Sequence, residues 1–107
     1  KLLKFLFTDA YKHTTCGANK YDLVIVDLYT GGKFDPRFEQ NGFLKALRDS
    51  INPYGTVIIN RIFVQNISWE INGFSDKLKN CFSKVETTRV RVKFYETSYN
   101  ILFVCHL

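Results

Sequence analysis

Tyr21-Asp-Leu-Val-Ile-Val-Asp-Leu28 decides how this chain is read. Leu23, Val24, Ile25 and Val26 stand without a break between two acids, Asp22 and Asp27. A short apolar run rich in β-branched residues reads as a strand covered on both faces, the kind found inside a parallel sheet. In open α/β folds the ligand crevice lies outside the carboxyl ends of such strands. Asp27 stands at that end, and Tyr29-Thr-Gly-Gly32 follows as a loop able to admit a ligand. A carboxylate drawn out of water needs a partner, and no Lys or Arg adjoins this one, so a substrate cation or hydroxyl fits the role. The alternative is an Asp that caps the next loop through backbone N–H groups.

Working outward, Leu2-Leu-Lys-Phe-Leu-Phe7 reads as a first strand, ended by Thr8-Asp9-Ala10. Residues 11–15 suit a short helix that Gly17 stops. On the other side, Asp35-Pro36 marks a turn, because the residue before proline avoids helical geometry. Phe43, Leu44, Leu47 and Ile51 then recur at helical spacing from about Asn41, and Asn52-Pro53-Tyr54-Gly55 carries a helix-stop and turn signature. Thr56-Val-Ile-Ile-Asn60 is apolar without alternation and therefore a second central strand.

Asn66 or Ser68 can cap a helix whose Ile67, Ile71, Phe74, Leu78 and Phe82 share a face. Gly73 inside it costs about 1 kcal/mol against alanine. Residues 85–94 alternate, with Val90, Val92 and Phe94 on one side and Arg89, Arg91 and Lys93 on the other. That is a strand with one wet face. Glu96-Thr-Ser98 is too short for the crossover that a parallel neighbour requires. Asn100-Ile-Leu-Phe-Val-Cys105 therefore returns antiparallel, and its unbroken apolar run places it inside the sheet. The basic strand is then outermost, where cationic side chains discourage edge pairing. Edge protection is the preferred reading of Arg89, Arg91 and Lys93, ahead of a nucleic-acid stripe.

The chain has 107 residues, enough for one domain with a core, and 46% hydrophobic content with ten Phe argues for a packed globule and against disorder. A net charge of +5 does not by itself imply a nucleic-acid partner. No apolar run approaches the roughly 20 residues of a membrane span. Cys16, Cys81 and Cys105 form no C-x-x-C pair, which fits a reducing cytoplasm and speaks against a disulfide framework or a zinc site. His13 and His106 are isolated, so no metal is expected. With no Met and Lys1 at its start, the chain reads as a piece of a longer protein, a single incomplete domain over residues 1–107.

Strand, helix, strand, helix, strand, helix and a closing hairpin make an α/β, Rossmann-like, three-layer pattern. Its sheet is expected to be mostly parallel and to end in an antiparallel carboxyl-terminal hairpin. Phe7-Thr-Asp9-Ala10, the stretch at 21–27, Phe43-Leu-Lys-Ala-Leu-Arg48, Asn52-Pro-Tyr-Gly55 with the strand behind it, and Tyr99-Asn-Ile-Leu-Phe-Val104 appear in that order. In this order they resemble the carboxyl-terminal half of a class I S-adenosylmethionine-dependent methyltransferase domain, in particular its spermidine-synthase-like branch.

The resemblance implies a parent that transfers a methyl or aminopropyl group from S-adenosylmethionine or its decarboxylated form, with a small amine or polyamine as acceptor. Asp9 would accept from the adenine amino group, with the Ala10 N–H beside it, although Asp9 as a helix N-cap is the plainer reading. Asp27 would take the proton from the attacking amine, which needs a carboxylate on a rigid mount within hydrogen-bond reach. Polyamine synthases continue from their acid with Ser-Ser/Thr-Asp-Pro, whereas here Leu28-Tyr29-Thr30-Gly31 follows and the second acid is missing. No G-x-G occurs either. The glycine-rich turn and the ribose acceptor must come from elsewhere, so this chain alone is expected to hold no cofactor.

Two other classes compete. A receiver-type signalling domain needs paired acids after its first strand, where only Asp9 stands. A non-catalytic α/β interaction domain is favoured by the missing second acid. The expected strand order is first, central, third, last and basic, with a second copy of the chain able to pair at an open sheet edge.

Overall fold

Among the described residues, one face of a four-stranded sheet gathers nearly all the buried apolar side chains. The computed structural model describes residues 12–14, 20–27, 29–30, 33–34, 36–64, 68–90 and 98–107. Strand β1 (Tyr21–Val26) is followed by a small antiparallel ribbon, β2 (Tyr29–Thr30) and β3 (Lys33–Phe34), and by a 3-10 turn at Pro36–Glu39. Helix α1 (Asn41–Asp49), strand β4 (Ile51–Val64), helix α2 (Ser68–Lys79), strand β5 (Lys84–Val90) and strand β6 (Ser98–His106) complete the order.

The sheet runs β1-β4-β6-β5. β1 lies parallel to β4, while β4–β6 and β6–β5 are antiparallel. Central, third, last and basic strands thus stand as the sequence orders them, with the basic strand at the edge. This is an α/β, Rossmann-like architecture with an antiparallel carboxyl-terminal hairpin. The strand expected over residues 2–7 lies outside the described residues.

α1 is the crossover that a parallel pair requires. It turns Phe43, Leu44 and Leu47 inward, and Ser50 closes it by donating from both its N–H (3.1 Å) and its Oγ (2.7 Å) to the Leu47 carbonyl. Ile51, read from spacing as the last apolar residue of this helix, instead opens β4 opposite Tyr21. It is buried all the same, since the chain reverses at Ser50 and keeps it under the core.

The Asn52-Pro-Tyr-Gly55 turn therefore sits within β4. The register jumps from Tyr21↔Ile51 to Leu23↔Thr56, so the turn loops out of the ladder. Tyr54 takes a left-handed φ of 74° there. Gly55 passes so close to the backbone that a Cβ would stand 2.8 Å from the Asn52 carbonyl oxygen.

α2 buries Phe74 and Leu78. Phe82 stays in the core beyond the end of the helix, because its N–H donates back to the Leu78 carbonyl at 2.8 Å. Asn66 and Ile67 lie outside the described residues. Both helices meet the same sheet face, formed by Val26, Val57, Ile59, Phe63, Ile101, Phe103 and Cys105.

The opposite face corrects the reading of β1 as covered on both sides. Leu23 is 53% and Ile25 64% exposed, and Ile62 and Val90 are exposed beside them. An all-apolar run says that both faces can be buried, whereas burial itself depends on what packs there. Among the described residues, α1 and α2 both pack on one face and neither covers the other.

The alternation of the basic strand is also corrected in sense. Arg89 pairs opposite Ile101 and so shares the helix-covered face, whereas Val90, opposite Asn100, lies on the bare one. Arg91, Val92, Lys93 and Phe94 are outside the described residues.

Candidate functional site

Parallel pairing brings the carboxyl ends of β1 and β4 together. Val26 is level with Ile59, so the next residue on each strand, Asp27 and Asn60, stand side by side. Asn60 Nδ2 donates to Asp27 Oδ1 at 3.3 Å. The Asp27 side chain is exposed and Asn60 is half-buried. Two residues back on each strand, on the same face, Ile25 and Ile58 are a matched pair in the ladder.

These four residues edge a shallow groove of about 350 Å³ on the bare sheet face, with Leu102 as further floor and Asn100 and Val90 at its far margin. With its amide nitrogen turned to Asp27, Asn60 keeps Oδ1 as an acceptor, buried and without a hydrogen-bond partner among the described residues. An orphaned buried acceptor costs about 1–3 kcal/mol, and such groups call for a specific explanation. Chemically the groove offers a carboxylate and an amide over an apolar floor. That combination suits a ligand with N–H or O–H donors on a hydrocarbon or planar body.

Asn60 and Asn100 were not picked out from the sequence as site residues. A signal for Asn60 exists: it ends the third strand's apolar run as Asp27 ends that of the second, and parallel neighbours put such residues together. Asn100 becomes visible only through the hairpin register, opposite Ile62 and Val90.

A second groove, of about 290 Å³, lies beside Tyr21, Leu23 and Ile25. His13 Nε2 and the Tyr21 hydroxyl meet there at 3.1 Å. Among the described residues its lining holds no carboxylate, and it flanks β1 toward its amino end.

On the helix-covered face, Arg61 is 5% exposed, follows Asn60 directly and contacts Glu39 and Glu70. Cys105 is fully buried, and burial first, then the nearby Cys81, push its thiol from 9.0 up to about 12. It is not a nucleophile at neutral pH. Among the described residues no three His, Cys, Asp or Glu cluster to hold a metal, and no helix is long and apolar enough to cross a membrane. Asp9, Ala10 and the glycines at 31–32 lie outside the described residues.

No protein-family model matches the sequence, and no curated protein matches it. Solved structures do. Human methyltransferase-like protein 13, in complex with SAH, superposes with a TM-score of 0.73 at 21% identity, over 97% of this chain and 49% of that one. A probable spermidine synthase from Corynebacterium glutamicum gives 0.74 at 15% identity, over 92% of this chain and 36% of that one. A methyltransferase from Pyrococcus furiosus gives 0.54 at 19% identity, over 83% and 43% respectively. The fold is therefore shared with methyltransferases and a probable spermidine synthase, and the chain spans less than half the length of each.

Proposed function

We propose that residues 1–107 are the carboxyl-terminal half of a transferase domain that moves a methyl or aminopropyl group from an S-adenosylmethionine-type donor to an amine, with Asp27 as the base. The observation that carries this reading is the Asp27 carboxylate itself. It sits at the carboxyl end of a parallel strand, beside Asn60, in a fold of this type. In the step envisaged, the amine nitrogen bonds to the donor carbon, the carbon–sulfur bond breaks with its electron pair left on sulfur, and the amine proton passes to Asp27. Asn60 holds the carboxylate in place, and the apolar floor of Ile25, Ile58 and Leu102 takes the hydrocarbon part of the acceptor.

The amino-terminal half of the domain would cover the bare face and bring the donor pocket. Two facts support it: the solved structures of this fold are about twice as long or longer, and Leu23, Ile25, Ile62 and Val90 stand in water. Contiguous exposed apolar surface marks an interface. Asp9 and Ala10 are assigned to the adenine of the donor, and the cytoplasm to the protein, on the reading of its cysteines. Pairing of two copies at an open sheet edge is a separate possibility, which would satisfy the backbone groups of that edge rather than cover the face.

A non-catalytic interaction domain is the second reading, favoured by the replacement of a second acid by Leu28-Tyr29-Thr30. Incubating the full-length protein with a labelled donor and a panel of amines separates the two. Label transferred to an amine, and lost in Asp27→Asn while donor binding persists, supports the transferase. Donor bound without transfer, or transfer unaffected by Asp27→Asn, removes Asp27 from the role of base.

A further inference from the structure

β1 stops short of its neighbours in the sheet. It ends at Val26, level with Ile59, while β4 runs on to Val64. Beyond that step, one row of the bare face is Ile62, Asn100 and Val90, paired in that order across β4, β6 and β5. In the row before it, Asp27, Asn60 and Leu102 stand side by side. The groove of about 350 Å³ crosses both rows, from Asp27 past Leu102 to Asn100 and Val90.

Asn100 is out of keeping with its position. β6 is an inner strand, between β4 and β5, and asparagine is depleted in strands, where larger and β-branched side chains pack better. Its cross-strand neighbours, Ile62 and Val90, are both apolar. Asn100 is half-buried, and among the described residues its side-chain amide has no hydrogen-bond partner. Residues that break the local pattern with nothing in the fold to compensate are expected at functional sites.

The two polar ends of the groove differ in kind. Asp27 brings a carboxylate, whereas the Asn100 amide is uncharged and offers both N–H donors and an oxygen acceptor. A second ammonium placed at Asn100 would leave water without an opposite charge to replace it. A hydroxyl or an amide loses less and makes the same hydrogen bonds. From Asp27 to Asn100 the backbone spans two strand spacings across and two residues along, about 12 Å. A six-carbon chain with a hydrogen bond at each end covers that distance.

We infer that Asn100 determines the class of acceptor: an amine whose nitrogen lies at Asp27 and whose far end, across an apolar body on Leu102, carries an uncharged hydroxyl or amide group. The placing of the amine rests on the function proposed above, whereas the match of Asn100 to an uncharged end does not.

Calorimetry on the full-length protein with aminohexanol, hexylamine and diaminohexane, matched in chain length, tests this apart from any transfer. Aminohexanol is expected to bind about tenfold more tightly than hexylamine, the effect of one hydrogen bond, and more tightly than diaminohexane. Asn100→Leu should bring aminohexanol down to the level of hexylamine and leave hexylamine no weaker. Asn100→Asp should reverse the order of aminohexanol and diaminohexane. Equal binding of aminohexanol and hexylamine by the unsubstituted protein overturns the inference. So does an equal loss for both in Asn100→Leu, or the absence of binding for all three. If Asn100→Leu does not fold, the unsubstituted protein and Asn100→Asp still decide. Selective, Asn100-dependent binding of aminohexanol without transfer from a labelled donor would leave the role of Asn100 standing and sink the proposed function. Transfer that needs Asp27 but ignores the far end of the amine would do the reverse.

Discussion

Asn60 and Asp27 touch across neighbouring parallel strands, Nδ2 to Oδ1 at 3.3 Å, although 33 positions separate them in the chain. The contact follows from the register, since Val26 beside Ile59 leaves the next residues no other neighbour on that side. It restrains a carboxylate that is otherwise exposed, and an exposed carboxylate has many rotamers to sample.

Asn60→Ala in the full-length protein should therefore lower kcat by about tenfold, the value of one hydrogen bond of roughly 1–1.5 kcal/mol. Donor binding should stay as it was. Folding stability should change little, because the truncation also removes the orphaned Oδ1. Steady-state kinetics beside a donor-binding isotherm check this, and an unchanged kcat would dissociate Asn60 from the reaction.

Asp9→Ala should do the converse and weaken donor binding by about 1–3 kcal/mol, with the proton-transfer step intact. Calorimetry with the donor on the full-length protein reads this directly. Residues 1–107 alone should show no donor binding, and micromolar affinity in that chain would refute the division of labour between the two halves.

Leu23 and Ile25 report on the bare face. Replacing both by Lys in the 107-residue chain should reduce binding of an apolar dye and self-association, at little cost in stability, since both are more than half exposed. In the full-length protein the same pair should cost several kcal/mol, because each buried side chain contributes about 1.5–3 kcal/mol. Equal effects in the two contexts would mean that nothing covers this face.

The turn at Asn52–Gly55 should respond in opposite directions at adjacent positions. Tyr54→Gly relieves a left-handed residue whose side chain is wholly in water and should stabilise by up to about 1 kcal/mol. Gly55→Ala drives a Cβ to within 2.8 Å of backbone oxygen and 2.9 Å of the Ile51 Cβ, and should destabilise. Urea unfolding of the two variants measures both signs.

Alkaline pH should weaken the fold through Cys105. Its thiol titrates at about 12 when folded and at 9.0 when free, so the folded state favours the protonated form. That stability is complete below pH 9 and is lost as pH rises toward 12, a full gap worth about 4 kcal/mol. Cys105→Ala should flatten the pH dependence over this window, and iodoacetamide at neutral pH should leave Cys105 of the folded protein unmodified.

Much was legible from local pattern. The apolar runs at 21–26 and 56–60, the 3.6-residue spacing of Phe43, Leu44 and Leu47, and a loop too short for a crossover before β6 suffice for the α/β class and for the basic strand outside its antiparallel partner. They suffice because backbone geometry imposes these periods wherever the strands and helices lie. The carboxyl-end position of Asp27 was legible for the same reason.

Sidedness was not. Period two states that Val24 and Ile25 point apart, and leaves open which of them meets a helix. The tertiary structure decides that Val26 is covered and Ile25 is not, because α1 and α2 both pack on one face of the sheet. It also decides that Arg89 sits on the covered side, that Asn60 meets Asp27, and that Arg61, placed in step with Ile59 and Phe63, enters the core between two phenyl rings. Each of these depends on contacts between segments far apart in the chain. Local propensity carries no term for them.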